Sequence, residues 1–586
     1  MYLRHTTVRR DGKTYTYWRL VRSVREGSRV RQEVVADLGL LDSEGKRKAS
    51  ELARHFLGDK ASRPEPFECP DALPAERIAL GRVDVERARS FGAVWLGWQL
   101  WRALDLDGFC ERHLRRGREK VAWSQVAAIL VIARLCEPSS ELHIAEDFYR
   151  RTALEDILGV PAHQVHHTRL YQGLDRLLEH KKELEGHVKK RFGNLLEVDY
   201  DILLYDVTST YFEGDVKRVK IARRGHSRDG RGDCKQVCVG LIVSRDGYPL
   251  GYEVFPGNSV DVTTVEEIVE KIEGEYGRAQ RVWVMDRGMC SEANLEWLRE
   301  GGRKYLVGTP RSEMKKWAKE LEAKSGWEQV RDGLEVKLCE GPDGKETFIL
   351  CRSADRETKE RAMHERFTLR IRAQLASLGR RLKRARKPVD RGSVERQIGR
   401  ILERNSRAGK RFDVKVVIDP KRRSKLRLTW RERRDWRQWA ELTEGAYILR
   451  SNVNSWTPDE LWRAYVQLWQ AEAAFRIHKS DLRIRPIWHQ TEERVLAHIL
   501  VCFLAFCLWK LLEAWQSRAG LGNSPRTLIE EMERIQTLDV VASLQDESRV
   551  TIRCVSQLDD AQRALVERLG LRVPRRLRTR ATGAAM

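Results

Sequence analysis

Three acidic residues stand where chemistry is most easily done. Asp206 follows the apolar run Ile202 to Tyr205 and precedes Val-Thr-Ser-Thr, and Asp286 follows the run Arg281 to Met285 and precedes Arg287 and Gly288. Glu472 lies in a stretch where Tyr465, Leu468, Glu472, Phe475 and Lys479 recur at spacings of three or four, which puts them on one side of a helix. An aspartate after a strand is by itself commonly a turn former; two such acids joined by a third on a helix are not. Each carboxylate costs several kcal/mol if buried unpaired, so three that converge are tolerable chiefly when they hold cations. Hard oxygen ligands with no supporting His or Cys point to magnesium or manganese rather than zinc.

The elements that must position these acids can be read from hydrophobic pattern. A short, branched apolar run ending in polar residues predicts a buried strand, with Asp206 as its last residue at a sheet edge facing a crevice. After it come a polar, Gly-rich loop, Gly225 to Asp233, and two strands, QVCVGLIVS and PLGYEVF, joined by Arg245-Asp246-Gly247. A helix over Val262 to Tyr276, the Asp286 strand, a helix around Glu292 to Glu300 and a strand at Tyr305 to Gly308 complete the series. Three strands, helix, strand, helix, strand is the order of an RNase H-like fold, whose first three strands are antiparallel. The pattern is then interrupted. Candidate strands LEVKLC and TFILCRS precede a basic helical stretch with an apolar stripe at Ile371, Leu375, Leu378 and Leu382, broken by Pro388 and resumed at Val394, Ile398, Ile401 and Leu402. Residues 370–411 hold 15 Lys or Arg against 3 Asp or Glu, a net +12. This reads as a helical hairpin with one wet face, and charge of that density favours phosphate contact over a merely solvated surface. The core pattern returns with YILRSNV and the Glu472 helix, beneath which a buried helix from Leu496 to Trp515 is expected.

Composition sets the partner. Lys plus Arg number 109 against 86 Asp plus Glu in 586 residues, a net charge of +23 and a pI near 9.6. So large an excess favours a polyanion, nucleic acid first and an anionic membrane surface second. The 11 cysteines lack paired spacing and read as reduced thiols; Cys234 and Cys238 lie four apart with no second pair or nearby His to complete a zinc set. No apolar segment backs the basic N-terminal residues, and the longest apolar run, Ile499 to Trp509, is too short to span a bilayer, so neither signal peptide nor membrane partner is expected and the location is cytoplasmic.

The remaining segments complete the organisation. Alternating runs from Tyr2 to Leu41, separated by Asp11-Gly12 and Glu26-Gly27, predict hairpin strands whose many Arg serve either phosphate contact or edge solubility. A Pro-containing linker spans Ser62 to Pro74. From about Arg77 to Phe192 the chain is mostly helical, with an aromatic cluster around Trp95, Trp98 and Trp101 that reads as core. Within it, Pro161 to Phe192 carries His163, His166, His167, Arg169, Lys181, Lys182, Lys189, Lys190 and Arg191, a stretch suited to a helix-turn-helix reader or to a solvated face. The expected architecture is α+β and multidomain. It has an N-terminal β-hairpin region (1–61), a helical DNA-binding region (76–195), an RNase H-like core in two parts (197–308 and 445–515), an insertion with the basic hairpin (309–444), and a C-terminal helical region with a basic tail (516–586).

These motifs together resemble the DDE transposases of bacterial insertion sequences, in the branch with a Tyr-Arg-Glu-Lys signature around the third acid. Here the signature reads YVQLWQAEAAFRIHK, with Tyr465, Glu472 and Lys479 in place and Leu468 where the family has Arg. The resemblance extends over DVTSTYF at Asp206, PLGYEVFPGNSVDVTT, VMDRGM at Asp286, the segment after the signature and the N-terminal hairpin. It implies an RNase H-like core interrupted before its last catalytic helix. It also implies catalytic and metal-binding roles for Asp206, Asp286 and Glu472, with two Mg²⁺ or Mn²⁺ ions, Asp206 bridging both. Tyr465, Lys479 and Arg287 are then expected at the DNA, with Arg476, one turn beyond Glu472, in place of the missing arginine. The implied substrates are the element's terminal inverted repeats and target DNA, bound by a homodimer. Two further readings are a nuclease or resolvase of this fold without strand transfer, and a DNA-binding relic without activity.

Overall fold

The computed structural model describes residues 2–10, 13–26, 29–40, 78–114, 117, 119–198, 200–276, 281–289, 291–544 and 549–577. The expected linker at 62–74, the turn at Asp11-Gly12, Gly27 and the tail beyond residue 577 lie outside the described residues. The chain opens with β1 (Tyr2–Arg10), β2 (Lys13–Glu26), β3 (Arg29–Leu40) and β4 (Ile78–Ser90). The longer helices α1 (Gly92–Ala103), α2 (Leu106–His113), α3 (Trp123–Cys136), α4 (His167–Leu178) and α5 (Lys181–Leu196) follow. Next come β5 (Ile202–Tyr211), β6 (Gln236–Ser244), β7 (Pro249–Pro256), α6 (Val265–Tyr276), β8 (Val282–Met285), α7 (Glu292–Glu300) and β9 (Lys304–Gly308). The insertion contributes β10 (Glu328–Arg331), β11 (Leu334–Glu340), β12 (Thr347–Ser353), α8 (Ala354–Arg384), α9 (Arg391–Arg404), β13 (Phe412–Ile418), β14 (Leu426–Glu432) and α10 (Arg434–Thr443). The chain continues through β15 (Ala446–Ser451), α11 (Pro458–Val466), α12 (Trp469–Ser480), α13 (Glu492–Arg518) and α14 (Pro525–Glu533), and then β16 (Gln536–Leu544), β17 (Arg549–Val555) and α15 (Asp560–Arg568). The order expected for an RNase H-like core, three antiparallel strands and then helix, strand, helix, strand, is thus present from β5 to β9.

The chain divides into two units, one of Met1–Ala279 with Trp469–Met586 and the other of Gln280–Leu468. In the first, α13 is the spine. It is apolar on all sides, with a mean hydropathy of 2.3 over its richest window, and 94% of that window is buried in protein. That is how a core helix of a large domain reads, although its length and composition alone would also suit a membrane. Helices α3 and α4 pack on it, as does β7. The antiparallel trio β5-β6-β7 pairs Asp206 with Leu241 and Leu241 with Tyr252. A separate sheet, in the order β17-β16-β4, ties the two ends of this unit together. Residues 78–90 are therefore a strand where helix was expected; the partner, β16, lies near the far end of the chain and leaves no local signal.

Buried charge fixes α5 to β7 and α6. Glu185 is fully buried and accepts from the backbone N–H of Tyr252 at 3.0 Å, with Lys271 at 3.2 Å and Lys181 at 3.7 Å. Lys181 also donates to the carbonyl of Tyr252, and Arg191 donates to that of Ala103. Two of the cations of this stretch, read as either DNA contacts or a solvated face, are thus partly buried and serve to dock α5.

In the second unit the strand order is β10-β11-β12-β15-β9-β8, antiparallel except for the pair β8-β9. Buried Glu346 sits between Arg450, at 2.6 Å, and Arg299, at 2.9 Å, clamping β12 and β15 to α7. The basic stretch forms a helical hairpin, with α8 capped by Ser353 and α9 by Asp390. Its apolar stripe, including Ile371, Leu375, Val394 and Ile398, closes over Phe412, Leu426 and Leu428 of the ribbon β13-β14. Periodicity selects this face: residues three and four apart bury together and leave the arginines outside.

Removing the Glu185 carboxylate leaves Glu253 alone to neutralise Lys181 and Lys271, at 3.3 and 3.0 Å, so Glu185→Ala is expected to lower unfolding stability by about 3 kcal/mol. Glu185→Gln, which keeps an acceptor for Tyr252, is expected to cost less. Urea unfolding of the two variants beside the parent checks both the loss and its order.

Candidate active site

In the first unit, strand periodicity places Asp206, Thr208 and Thr210 on one face of β5 and Tyr205 on the other, where its hydroxyl donates to Thr264 Oγ1 at 2.8 Å. Helix α12 covers the Asp206 face. A cavity with room for about one water is lined there by Thr208, Thr210, Phe475, His478, Lys479 and Ile484 among others. At its other end α12 abuts the β6–β7 turn, since a Cβ on Gly247 would meet Gln470 Oε1 at 2.8 Å. That turn lies beside the start of β5, where Leu203 pairs with Ser244. Helix and strand therefore run the same way, and Glu472 stands over the part of β5 that carries Asp206. Asp206 is half-buried, with Oδ1 accepting from the N–H of Val207 at 2.8 Å, and Glu472 is exposed.

Asp206 is not the last residue of its strand. The ladder continues to Tyr211 opposite Gln236 and buries Thr208, Ser209 and Thr210. Val and Thr are β-branched and fit a pleated surface, so a polar run that looks like a strand end is a strand interior.

In the second unit, Asp286 directly follows β8 and is exposed, as is Arg287 in the short 3₁₀ turn after it. Tyr465 of α11 donates to Asp286 Oδ1 across 3.5 Å. Burial, and then the Asp286 carboxylate, push the Tyr465 phenol well above its usual range, which keeps it a donor. Helix α11 is set by a capping box of Thr457 and Glu460 with Pro458 at its first position, and it buries Leu461, Trp462 and Ala464. Gly308, at the end of β9, leaves room for the tyrosine, since a Cβ there would stand 2.5 Å from its hydroxyl and 3.3 Å from the backbone nitrogen of Arg287. The single helix expected from Tyr465 to Lys479 is two, with Gln467 and Leu468 between α11 and α12. Neither Pro nor Gly marks the break. Leu468, where an arginine was looked for, is buried and donates its N–H to the carbonyl of Tyr465 at 3.0 Å.

Arg476 is exposed on α12, one turn past Glu472. Lys479 is instead engaged: its Nζ lies 2.9 Å from Asp229 Oδ1, and Arg485 meets the same oxygen. Burial holds the Lys479 ammonium below its usual range, partly offset by Asp229. The roles of Asp229, Arg485 and Gly308 cannot be read from the sequence, because none of the three belongs to a periodic pattern that marks a site. For Asp229 the one signal is the acid-bearing Gly-rich loop, Gly225 to Asp233.

The acids suit a hard divalent cation. They offer only carboxylate oxygens, and among the described residues neither Asp286 nor Glu472 takes part in an ion pair, so their charge is available to a metal. Two His-containing clusters are already engaged within the protein. His498 meets Arg134 through Nδ1 at 3.5 Å and the carbonyl of Ile484 through Nε2 at 3.1 Å, beside His489 and Glu141. Glu137, His143 and Asp147 are bound to Arg151.

A family model described as the transposase DDE domain matches residues 197–508, and one described as the N-terminal domain of IS1634 family transposases matches residues 3–63. No curated protein matches the chain. Among solved structures, a cryo-EM structure of the piggyBac transposase synaptic complex with hairpin DNA aligns over 76% of this chain and 80% of that one, at 10% identity and a TM-score of 0.35.

His478, buried beside Lys479 with Nδ1 2.9 Å from the carbonyl of Ala474, is pushed by burial down to about 4. An unfolded histidine takes its proton near pH 6.5, so between those values the unfolded chain binds more protons than the folded one. The stability held by the neutral ring is complete above about pH 6.5 and is lost as the pH falls toward 4, by up to about 3 kcal/mol. Melting curves across this range should fall less steeply for His478→Gln than for the parent. Buried His498, also pushed down by burial, supplies the slope that remains.

Proposed function

The chain belongs to the family of DDE-domain transposases, metal-dependent enzymes that cleave DNA and join its strands, and on that premise we propose that Asp206, Asp286 and Glu472 are its catalytic carboxylates. The observation that carries this assignment is that the matched span, 197–508, contains all three. The placement of Asp206 and Glu472 on facing elements of one unit supports it, as does the pairing of Asp286 with Tyr465 in the other. The same premise makes the substrates the element's terminal inverted repeats and target DNA, the active form a homodimer, and the compartment the bacterial cytoplasm, at the nucleoid when bound.

Two Mg²⁺ or Mn²⁺ ions held by these carboxylates would activate a water or a 3′-hydroxyl and stabilise the leaving oxygen of an in-line displacement. The protein's own groups do the rest. Asp206, rooted in a fully paired strand, presents its carboxylate from a rigid element. Tyr465 stays protonated far above neutrality and orients Asp286 by donating to it. Lys479, Arg476 and Arg287 contact the DNA backbone, and cations of the hairpin that have no ion-pair partner among the described residues, Arg380, Lys383 and Arg384 of α8 and Lys387 of the turn after it, extend that contact across the insertion. Water as nucleophile gives cleavage and the freed 3′-hydroxyl gives joining, so one site serves both steps.

Incubating the full chain with duplexes spanning the ends that flank its gene, with Mg²⁺ or with EDTA, tests the assignment. Nicking at the ends and joined products are expected for the parent in Mg²⁺ alone. Asp206→Asn, Asp286→Ala and Glu472→Gln should each lose at least about 100-fold in rate while still binding the ends. Cleavage without joined products would indicate a nuclease. Binding without cleavage under any divalent metal would indicate a relic.

A further inference from the structure

The two cations at the end of α12 share one anion in an unusual way. Lys479 Nζ and the Arg485 guanidinium both bind Asp229 Oδ1, while Asp229 Oδ2 is buried with no hydrogen-bond partner. The Asp229 side chain is only 7% exposed. A salt bridge selected for stability would use both oxygens, since a buried acceptor left unpaired is a liability. An anion with more oxygens and a tetrahedral shape would accept from the two cations through different oxygens.

The cations sit on pinned backbone, and their anion is brought by a loop that is itself tied down at Arg228, to Ser209 and Asp261, and at Arg231, to Glu213. Arg485 follows Ile484, whose N–H donates to the carbonyl of His478 at 2.8 Å, and two residues later Ile487 donates to the carbonyl of Tyr211 at 3.0 Å, so the backbone is pinned on both sides. Lys479 is held on α12. Asp229 comes from the loop of residues 225–233, most of whose residues are exposed and whose next residue, Gly230, has a φ of +72° with nothing near a would-be Cβ. Lys479 lies seven residues from Glu472, two helical turns, so it sits on the same side of α12 about 10 Å along. A strand engaged at Glu472 would bring a phosphate to this pair within about three nucleotides.

We propose that Lys479 and Arg485 form a phosphate site for the DNA backbone, and that Asp229 is its internal stand-in, displaced when a DNA phosphate enters. Arg485 is then a DNA-binding residue, and Asp229 holds the free protein's affinity for DNA in check. This rests on the transposase reading for the identity of the polyanion. It adds a competition that reading does not require.

The test is equilibrium binding of the full chain to a random-sequence duplex over a range of salt, for the parent, Asp229→Asn, Arg485→Gln and the double variant. Asp229→Asn is expected to bind about tenfold tighter than the parent, Arg485→Gln to bind more weakly with a salt slope lower by about one phosphate contact, and the double variant to lose the gain. Asp229→Asn binding no tighter than the parent while melting like it would overturn the proposal. If Asp229→Asn does not fold, the salt slope of Arg485→Gln decides, a slope equal to the parent's refuting the site. Failure of the transposase reading would show separately, as the parent's inability to cut element ends in Mg²⁺ whatever these affinities are.

Discussion

A carboxylate taken out of water must meet a cation, and the interior of this protein obeys that constraint almost everywhere. Glu185 lies between Lys181 and Lys271, Glu346 between Arg450 and Arg299, and Asp539 against Arg553 at 2.6 Å. Asp229 is gripped by Lys479 and Arg485. Asp286 and Glu472 are not under that constraint. They are exposed, they project from rigid elements, and no described side chain neutralises them. On the proposed reading, these are the acids that would receive a cation from outside.

The means of positioning the acids differ in the two units. In the first, a fully apolar helix, α13, carries the layer above it, and α12 is laid along β5 so that strand alternation and helix period bring Asp206 and Glu472 to one face. In the second, α11 is capped, seated on its sheet by Trp462 and Leu461, and aimed so that Tyr465 reaches Asp286 through the space left by Gly308. The first arrangement places both acids on regular secondary structure, and the second sets Asp286 directly after the end of a buried strand, where packing fixes its point of departure.

Much of this could be read from the sequence, and the failures have physical causes. Apolar runs ending in Asp206 and Asp286 marked real strands because burial on a sheet demands branched, apolar residues. The seam of α8 and α9 was visible for the same reason at helical period. The extension of β5 through Thr208 and Thr210 was missed because threonine is polar in composition yet β-forming in shape. The break between α11 and α12 has no breaker residue, so hydrophobic period alone carried straight through it. The pairing of β4 with β16 joins distant parts of the chain, and pattern reading is local. Lys181 and Arg191 were counted among surface cations because charge does not reveal which side of a helix is covered. The Asp229 contact lies in a loop, where spacing holds no geometric meaning.

The central claim is that three carboxylates, delivered by β5, by the end of β8 and by α12, hold divalent metal. Anomalous scattering from crystals of the full chain soaked in Mn²⁺ tests it directly, because it locates the metal without relying on turnover. Manganese is expected within coordination distance of Asp206, Asp286 and Glu472. Manganese absent from these three residues, or found only at Glu137, His143 and Asp147, would contradict it.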